Sequence, residues 1–214
     1  MENINATRIV ASSFGALAGL TGLIAGFFEV RQGNVVPDGY WISYIGPGYS
    51  MCQDSTYDAL TIISNLHITG ILTLITSILL LVWSVGFIYK KKGPLIMFLL
   101  SVILFLVGGA KVLDIGTLAS LIATRIDEPL TWWRSHMSLN RRRALIRVWP
   151  WSLAIYVLIS LSLLGLTILG VNNAGFLSLI TVLAGVMFLP IPVMIVGGFA
   201  YDIQRQDNLI EYTK

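Results

Sequence analysis

The chain has 214 residues, of which 56% are hydrophobic and 12% charged, with a formal net charge of +3. The charged share is about half that usual in soluble domains, and residues 9–28, 59–89, 95–110, 153–171 and 176–201 contain no Asp, Glu, Lys or Arg apart from Asp58 and Lys90, which lie just outside. Several of these runs are long enough to cross a hydrocarbon core of roughly 30 Å. That excludes a soluble globular domain, and the single cysteine, Cys52, excludes an intramolecular disulfide and a cysteine-based zinc cluster.

The first predicted span covers residues 9–28. Met1–Arg8 carries one basic side chain and the apolar run after it is long, so a retained helix is expected rather than a cleaved signal. Gly15, Gly19, Gly22 and Gly26 recur at helical spacing and share one face. Overlapping small-xxx-small motifs of this kind let another helix backbone come close, so these four glycines are expected to serve helix packing. Asn5-Ala6-Thr7 matches a glycosylation sequon, but the orientation derived below places it in the cytoplasm.

Residues 29–58 form a predicted extracytoplasmic loop, punctuated by Pro37-Asp38-Gly39 and Gly46-Pro47-Gly48. Tyr40, Trp41, Tyr44 and Tyr49 suit an interfacial aromatic belt. Glu29, Asp38, Asp54 and Asp58 stand against Arg31 alone, without the spacing of a calcium loop. Glu29, at the end of the glycine-striped helix, is a candidate polar membrane site, with capping or pairing to Arg31 as the plainer role. The second span is predicted over residues 59–89, with Asn65 and His67 near its start and Lys90-Lys91-Lys92 beyond its end. His67 is a candidate for proton relay or ligand binding, with a helix-end histidine satisfied by Asn65, Ser64 or a headgroup as the plainer role.

Residues 95–126, read as one helix, would run for about 48 Å and bury Lys111 and Asp114 at mid-depth, at about 3 kcal/mol each on insertion scales. Gly108-Gly109 just before Lys111 points instead to a helix over 95–110, a turn, and a short return helix over 112–126. Lys111 and Asp114, three residues apart beside this break, can pair on a helix, and broken helices often line binding sites. Residues 127–151 mix Arg134, Arg141, Arg142, Arg143 and Arg147 with tryptophans, a pattern for a cytoplasmic segment lying on the membrane surface. Arg141, Arg142, Arg143 and Arg147 are candidate contacts for anionic lipid headgroups. Spans over 152–169 and 176–200 follow as a hairpin, the last kinked by Pro190 and Pro192, and a polar tail of residues 201–214 ends the chain.

The expected fold is therefore all-α: a polytopic transmembrane helical bundle with four long spans and a short helical hairpin, giving six crossings or four plus a re-entrant pair. With the N-terminus inside, Arg8, Lys90–Lys92, Arg125, Arg134, Arg141–Arg143, Arg147, Arg205 and Lys214 are all cytoplasmic, leaving Arg31 and Lys111 outside. Both termini are then cytoplasmic.

The stretch Gly26-Phe27-Phe28-Glu29-Val30-Arg31-Gln32-Gly33-Asn34, with Pro37-Asp38-Gly39 and Ile45-Gly46-Pro47 after it, resembles a group of small uncharacterised prokaryotic multi-pass membrane proteins. The resemblance implies a bacterial or archaeal cytoplasmic membrane and carries no activity or functional residue with it. No catalytic, metal or cofactor motif is present, including HExxH, a Walker loop or Gly-x-Ser-x-Gly. The functional expectation is a non-enzymatic accessory or self-associating bundle, whose partners are membrane lipids, further copies or another membrane subunit, not nucleic acid. The alternative is a small solute or ion transporter or channel using the Lys111/Asp114 break. A membrane enzyme would require Glu29 and His67 to meet as an acid–base pair.

Overall fold

A computed structural model describes residues 5–45, 58–109, 112–169 and 174–212. Its elements are α1 (Ala6–Gln32), β1 (Trp41–Ser43), β2 (Asp58–Leu60), α2 (Leu66–Gly86), α3 (Gly93–Leu106), α4 (Val112–Ala123), α5 (Thr131–His136), α6 (Leu139–Leu169), α7 (Ala174–Val186) and α8 (Pro190–Tyr212). The fold is an all-α bundle with four stretches long and apolar enough to cross a membrane: Ala6–Gln32, Leu66–Gly86, Leu139–Leu166 and Ser178–Asn208. The shorter α3 and α4 form the expected hairpin.

α1 is the central post. Asn5 caps its N-terminus, its side chain accepting from the Arg8 N–H at 2.8 Å. Asp202 of α8 takes the preceding amides, Ala6 N–H at 2.8 Å and Thr7 N–H at 2.9 Å, and also the Thr7 hydroxyl. These donors have no partner inside the helix, and a carboxylate there meets the positive end of the helix dipole. Asn5 is thus a buried cap that also donates to Asp127 at 2.9 Å.

α2 runs antiparallel along the glycine face of α1. A Cβ on Gly15 would lie 2.5 Å from the Ser84 Cβ, one on Gly22 2.3 Å from the Ser77 hydroxyl, and one on Gly26 2.9 Å from the Gly70 carbonyl oxygen. The buried face of α2 is correspondingly small and hydroxylic, with Thr69, Gly70, Thr73, Thr76, Ser77 and Ser84. Its outer face carries Ile68, Ile71, Ile75, Ile78, Leu79, Val82 and Val85 exposed. Small polar residues inside and large apolar ones outside invert the soluble pattern and suit a helix in lipid, where close packing and interhelical hydrogen bonds replace the hydrophobic drive.

α3 runs parallel to α1, with Met97 against Gly15 and Leu104 against Gly22. α4 returns, crossing α3 where Gly116 meets the Ser101 side chain. The helices alone span only about 21 and 18 Å. With its flanks, however, the return limb passes from Gly108, beside Glu29, to Asp127, beside Asn5. Those two residues stand at opposite ends of α1, about 36 Å apart, so the limb travels the length of the post.

Three predicted boundaries move. The second helix starts at Leu66, because Asn65 accepts from the Ile68 N–H at 3.1 Å as an N-cap while residues 58–60 pair with β1. The basic segment at 127–151 is the short α5 followed by the first turns of α6, which continues through Pro150 to Leu169. Pro190 opens α8 after a turn at 187–189, inside the apolar stretch Ser178–Asn208, which fits proline's tolerance in a first helical turn. α8 then carries most of the expected polar tail as helix, because Asp202 and Asp207 have docking partners on α1, α5 and α6. The turn at 170–173 lies outside the described residues.

Replacing Gly26 or Gly70 by alanine drives a Cβ into backbone of the facing helix, at 2.9 and 2.6 Å respectively, and is expected to cost about 1–3 kcal/mol as overpacking. Gly165→Ala, in α6 with nothing within 4 Å, should be neutral or stabilise by up to about 1 kcal/mol. Thermal midpoints in detergent micelles measure both; equal midpoints for the three variants would dismiss the close α1–α2 contact.

Candidate functional site

The bundle has two chemically different ends. At one, the α2–α3 turn, the α4–α5 connection, α5, the start of α6 and the end of α8 gather around the N-terminus of α1. Arg8 lies 4.0 Å over the Tyr89 ring, Arg134 donates to Gln206 at 3.0 Å, and Arg142 meets Asp207 at 2.7 Å. Arg142 is 7% exposed and so is used inside the chain, whereas Arg141, Arg143 and Arg147 point outward. The 700 Å³ crevice between α3 and α4 opens at this basic end, between Tyr89, Lys90, Lys91, Phe98, Leu121 and Thr124.

At the opposite end the residues after α1 fold back over it. β1 and β2 pair antiparallel, Trp41 with Leu60 and Ser43 with Asp58. Ile42, Tyr44, Ile45 and Ala59 then pack with Ala25, Phe28 and Leu66. Residues 61–63 continue across the end of α3: Thr61 bridges Val107, and the Ile62 N–H donates to the Leu106 carbonyl at 3.1 Å. Glu29 lies under this cover, fully buried at 0% exposure.

Neither carboxylate oxygen of Glu29 has a hydrogen-bond partner among the described residues. Its polar neighbour is Thr73, but that hydroxyl donates to the carbonyl oxygen of Val107 at 2.6 Å. Thr69, whose hydroxyl lies 3.1 Å from that of Thr61, flanks the same spot. Opposite stands Gly108, where α3 has unwound and φ is +108°. A Cβ there would fall 2.5 and 2.8 Å from the two carboxylate oxygens and 2.6 Å from the Thr69 methyl. The position thus requires glycine twice, for its backbone angle and for the room the carboxylate occupies.

The other candidates do not join this group. His67 is half-buried at the start of α2, its Nδ1 3.4 Å from the Val30 carbonyl. Since Glu29 is unbonded, the Glu29–His67 acid–base pair does not form. Asp114 is exposed in the first turn of α4, a favourable place for a carboxylate at a helix N-terminus. Lys111, Cys52 and Asp54 lie outside the described residues, as does the side chain of Asp58. The four glycines, Gly15, Gly19, Gly22 and Gly26, form a packing face that α2 and α3 fill. Among the described residues no group of three or more His, Cys, Asp or Glu side chains could hold a metal ion.

The sequence marked Glu29 as one of several polar residues and gave the helix break to Lys111 and Asp114. Two signals pointed closer: Glu29 lies one helical turn beyond Gly26, on a face that a second helix must approach, and Gly108-Gly109 supplies a site for a backbone without Cβ atoms. What joins them is non-local.

Gly108→Ala should destabilise the fold by about 1–3 kcal/mol from backbone strain alone, with a further cost from the clash with Glu29. Combining it with Glu29→Ala should recover the clash and leave the strain, so a double-mutant cycle read from denaturation midpoints should give a clear coupling energy. Strict additivity would place Glu29 elsewhere. Comparison with family models, with curated proteins and with solved structures finds no match for the chain.

Proposed function

We propose that this chain is a small ion-handling transport protein of a bacterial or archaeal cytoplasmic membrane, with Glu29 as the group that binds and releases the ion. The observation that carries the reading is the Glu29 carboxyl, fully buried and unbonded against the unwound end of α3. Ionisable side chains at membrane depth are costly and face functional pathways by default, and discontinuous helices place backbone oxygens where ions bind. In this reading the break is the working part of the site, with Glu29 as its carboxylate in place of Asp114.

The basic end faces the cytoplasm in this reading. Arg8, Lys90–Lys92, Arg125, Arg134, Arg141–Arg143, Arg147 and Arg205 gather there, and the positive-inside bias then puts both termini inside and the β-hairpin outside. Arg141, Arg143 and Arg147 serve anionic headgroups at that surface, and the crevice beside Lys90 and Lys91 accommodates lipid chains.

A self-associating or accessory role was motivated by the glycine face, which α2 fills within a single chain. What supports that second reading now is the apolar surface of α6 and α7, with Leu158, Leu161, Ile168, Leu169, Leu179 and Val182 exposed, a face open to lipid or to another membrane helix.

Proteoliposomes loaded with ion-sensitive dyes test the transport reading. Wild-type protein should carry sodium, potassium or protons down an imposed gradient. Glu29→Gln should lower that flux by at least roughly tenfold, about 1.4 kcal/mol in the rate-limiting step, while Asp114→Asn leaves it intact. Equal flux in wild type and Glu29→Gln would end the proposal. Sidedness is checked separately in a Cys52→Ser background. Val36→Cys should react with an impermeant maleimide on intact cells and Lys91→Cys only after permeabilisation; the reverse pattern would invert the topology.

A further inference from the structure

The geometry points to a dehydrated alkali-metal cation as the occupant of the Glu29 site, an inference that rests on the ion-handling reading above and names its ligand. A carboxylate buried without a partner is strongly disfavoured in a low-dielectric interior. No lysine, arginine or histidine is paired with Glu29 among the described residues. The helix termini at this end do not supply the missing charge. α1 and α3 bring their negative ends there and α2 and α4 their positive ends, so dipoles balance two against two. Among the described residues, then, nothing supplies the positive charge that a Glu29 carboxylate calls for.

The surrounding atoms decide which kind. The polar groups the structure brings to Glu29 are oxygens: the hydroxyl of Thr73 and, bonded to it, the carbonyl of Val107. An all-oxygen set suits hard cations, not the softer transition metals that thiolate and imidazole select. A single carboxylate neutralises a monovalent ion, whereas a divalent ion would leave an uncompensated charge in the bundle. Thr73 is the hinge of the set, because its hydroxyl can turn its proton to Val107, as it does here, and offer its lone pairs toward the carboxylate side. Gly108 keeps the space beside both carboxylate oxygens free of a Cβ.

A proton would also neutralise Glu29, so the decisive experiment compares cations at fixed pH and ionic strength. Purified full-length protein in detergent is heated in sodium, potassium, lithium or choline chloride, and Glu29 is separately titrated with a hydrophobic carbodiimide, its modification followed by mass spectrometry. One alkali cation is expected to raise the thermal midpoint over choline. The same cation should slow carbodiimide modification of Glu29 by about tenfold when present at about ten times its dissociation constant. Glu29→Gln should lose the midpoint shift. Thr73→Val, which keeps the side-chain shape, should bind the cation more weakly while holding the same elution volume as wild type.

Identical midpoints and identical modification rates in all four salts would overturn the cation assignment. If Glu29→Gln then still stopped flux, the transport reading would stand with the proton as its ion. Conversely, cation protection of Glu29 with flux unchanged in Glu29→Gln would keep the binding site and remove the transport reading.

Discussion

Everything at the hairpin end follows from how closely α1 and α2 approach. Inside a bilayer the solvent is as apolar as the side chains, so helices gain little from hiding leucines from it, and contact distance and hydrogen bonding decide association. α1 offers Gly15, Gly19, Gly22 and Gly26; α2 answers with Gly70, Ser77 and Ser84. At Gly26 and Gly70 the two backbones touch, and one turn further along α1 is Glu29. A carboxylate at the end of a helix would ordinarily reach water. Here α2 stands too close, β1 and β2 close over the top, and the end of α3 shuts the remaining side.

The sequence disclosed the parts of this arrangement that are local. Glycines at helical spacing reveal their shared face without any knowledge of the partner. The helix break near Gly108-Gly109 is legible because a continuous helix would run too long and drag two charges through the core. The long-range parts were hidden. Nothing near Asn65 says that residues 58–60 turn away to pair with Trp41–Ser43, so the apolar run from Ala59 reads as continuous helix. Nothing near Asp202 announces that it caps a helix nearly two hundred residues earlier, and the segment after Tyr201 therefore reads as a tail. The burial of Glu29 is hidden for the same reason: it is made by segments distant in sequence.

Charge at the basic end is handled in the opposite manner. Asp202 takes backbone amides of α1, Asp207 takes Arg142 and Arg134, and Asp127 takes Asn5. Asp127, Asp202 and Asp207 each have a donor suited to them, while Arg141, Arg143 and Arg147 are left exposed. Against these bonded aspartates, the fully buried and unbonded carboxylate of Glu29 at the other end is informative.

Packing alone does not account for Glu29. A helix end meant only to be filled would be served better by an apolar side chain of similar volume, since replacing buried charges by well-packed apolar groups is often neutral or stabilising. The facing backbone is shaped for the carboxylate as well: Gly108 adopts a left-handed angle and omits the one atom that would collide with it. Thr73 adds an oxygen where an apolar residue would pack as well and bury no dipole. Each of these choices costs stability taken singly. Together they are consistent with one requirement, a place where a positive charge is held out of water between two sides of the bundle.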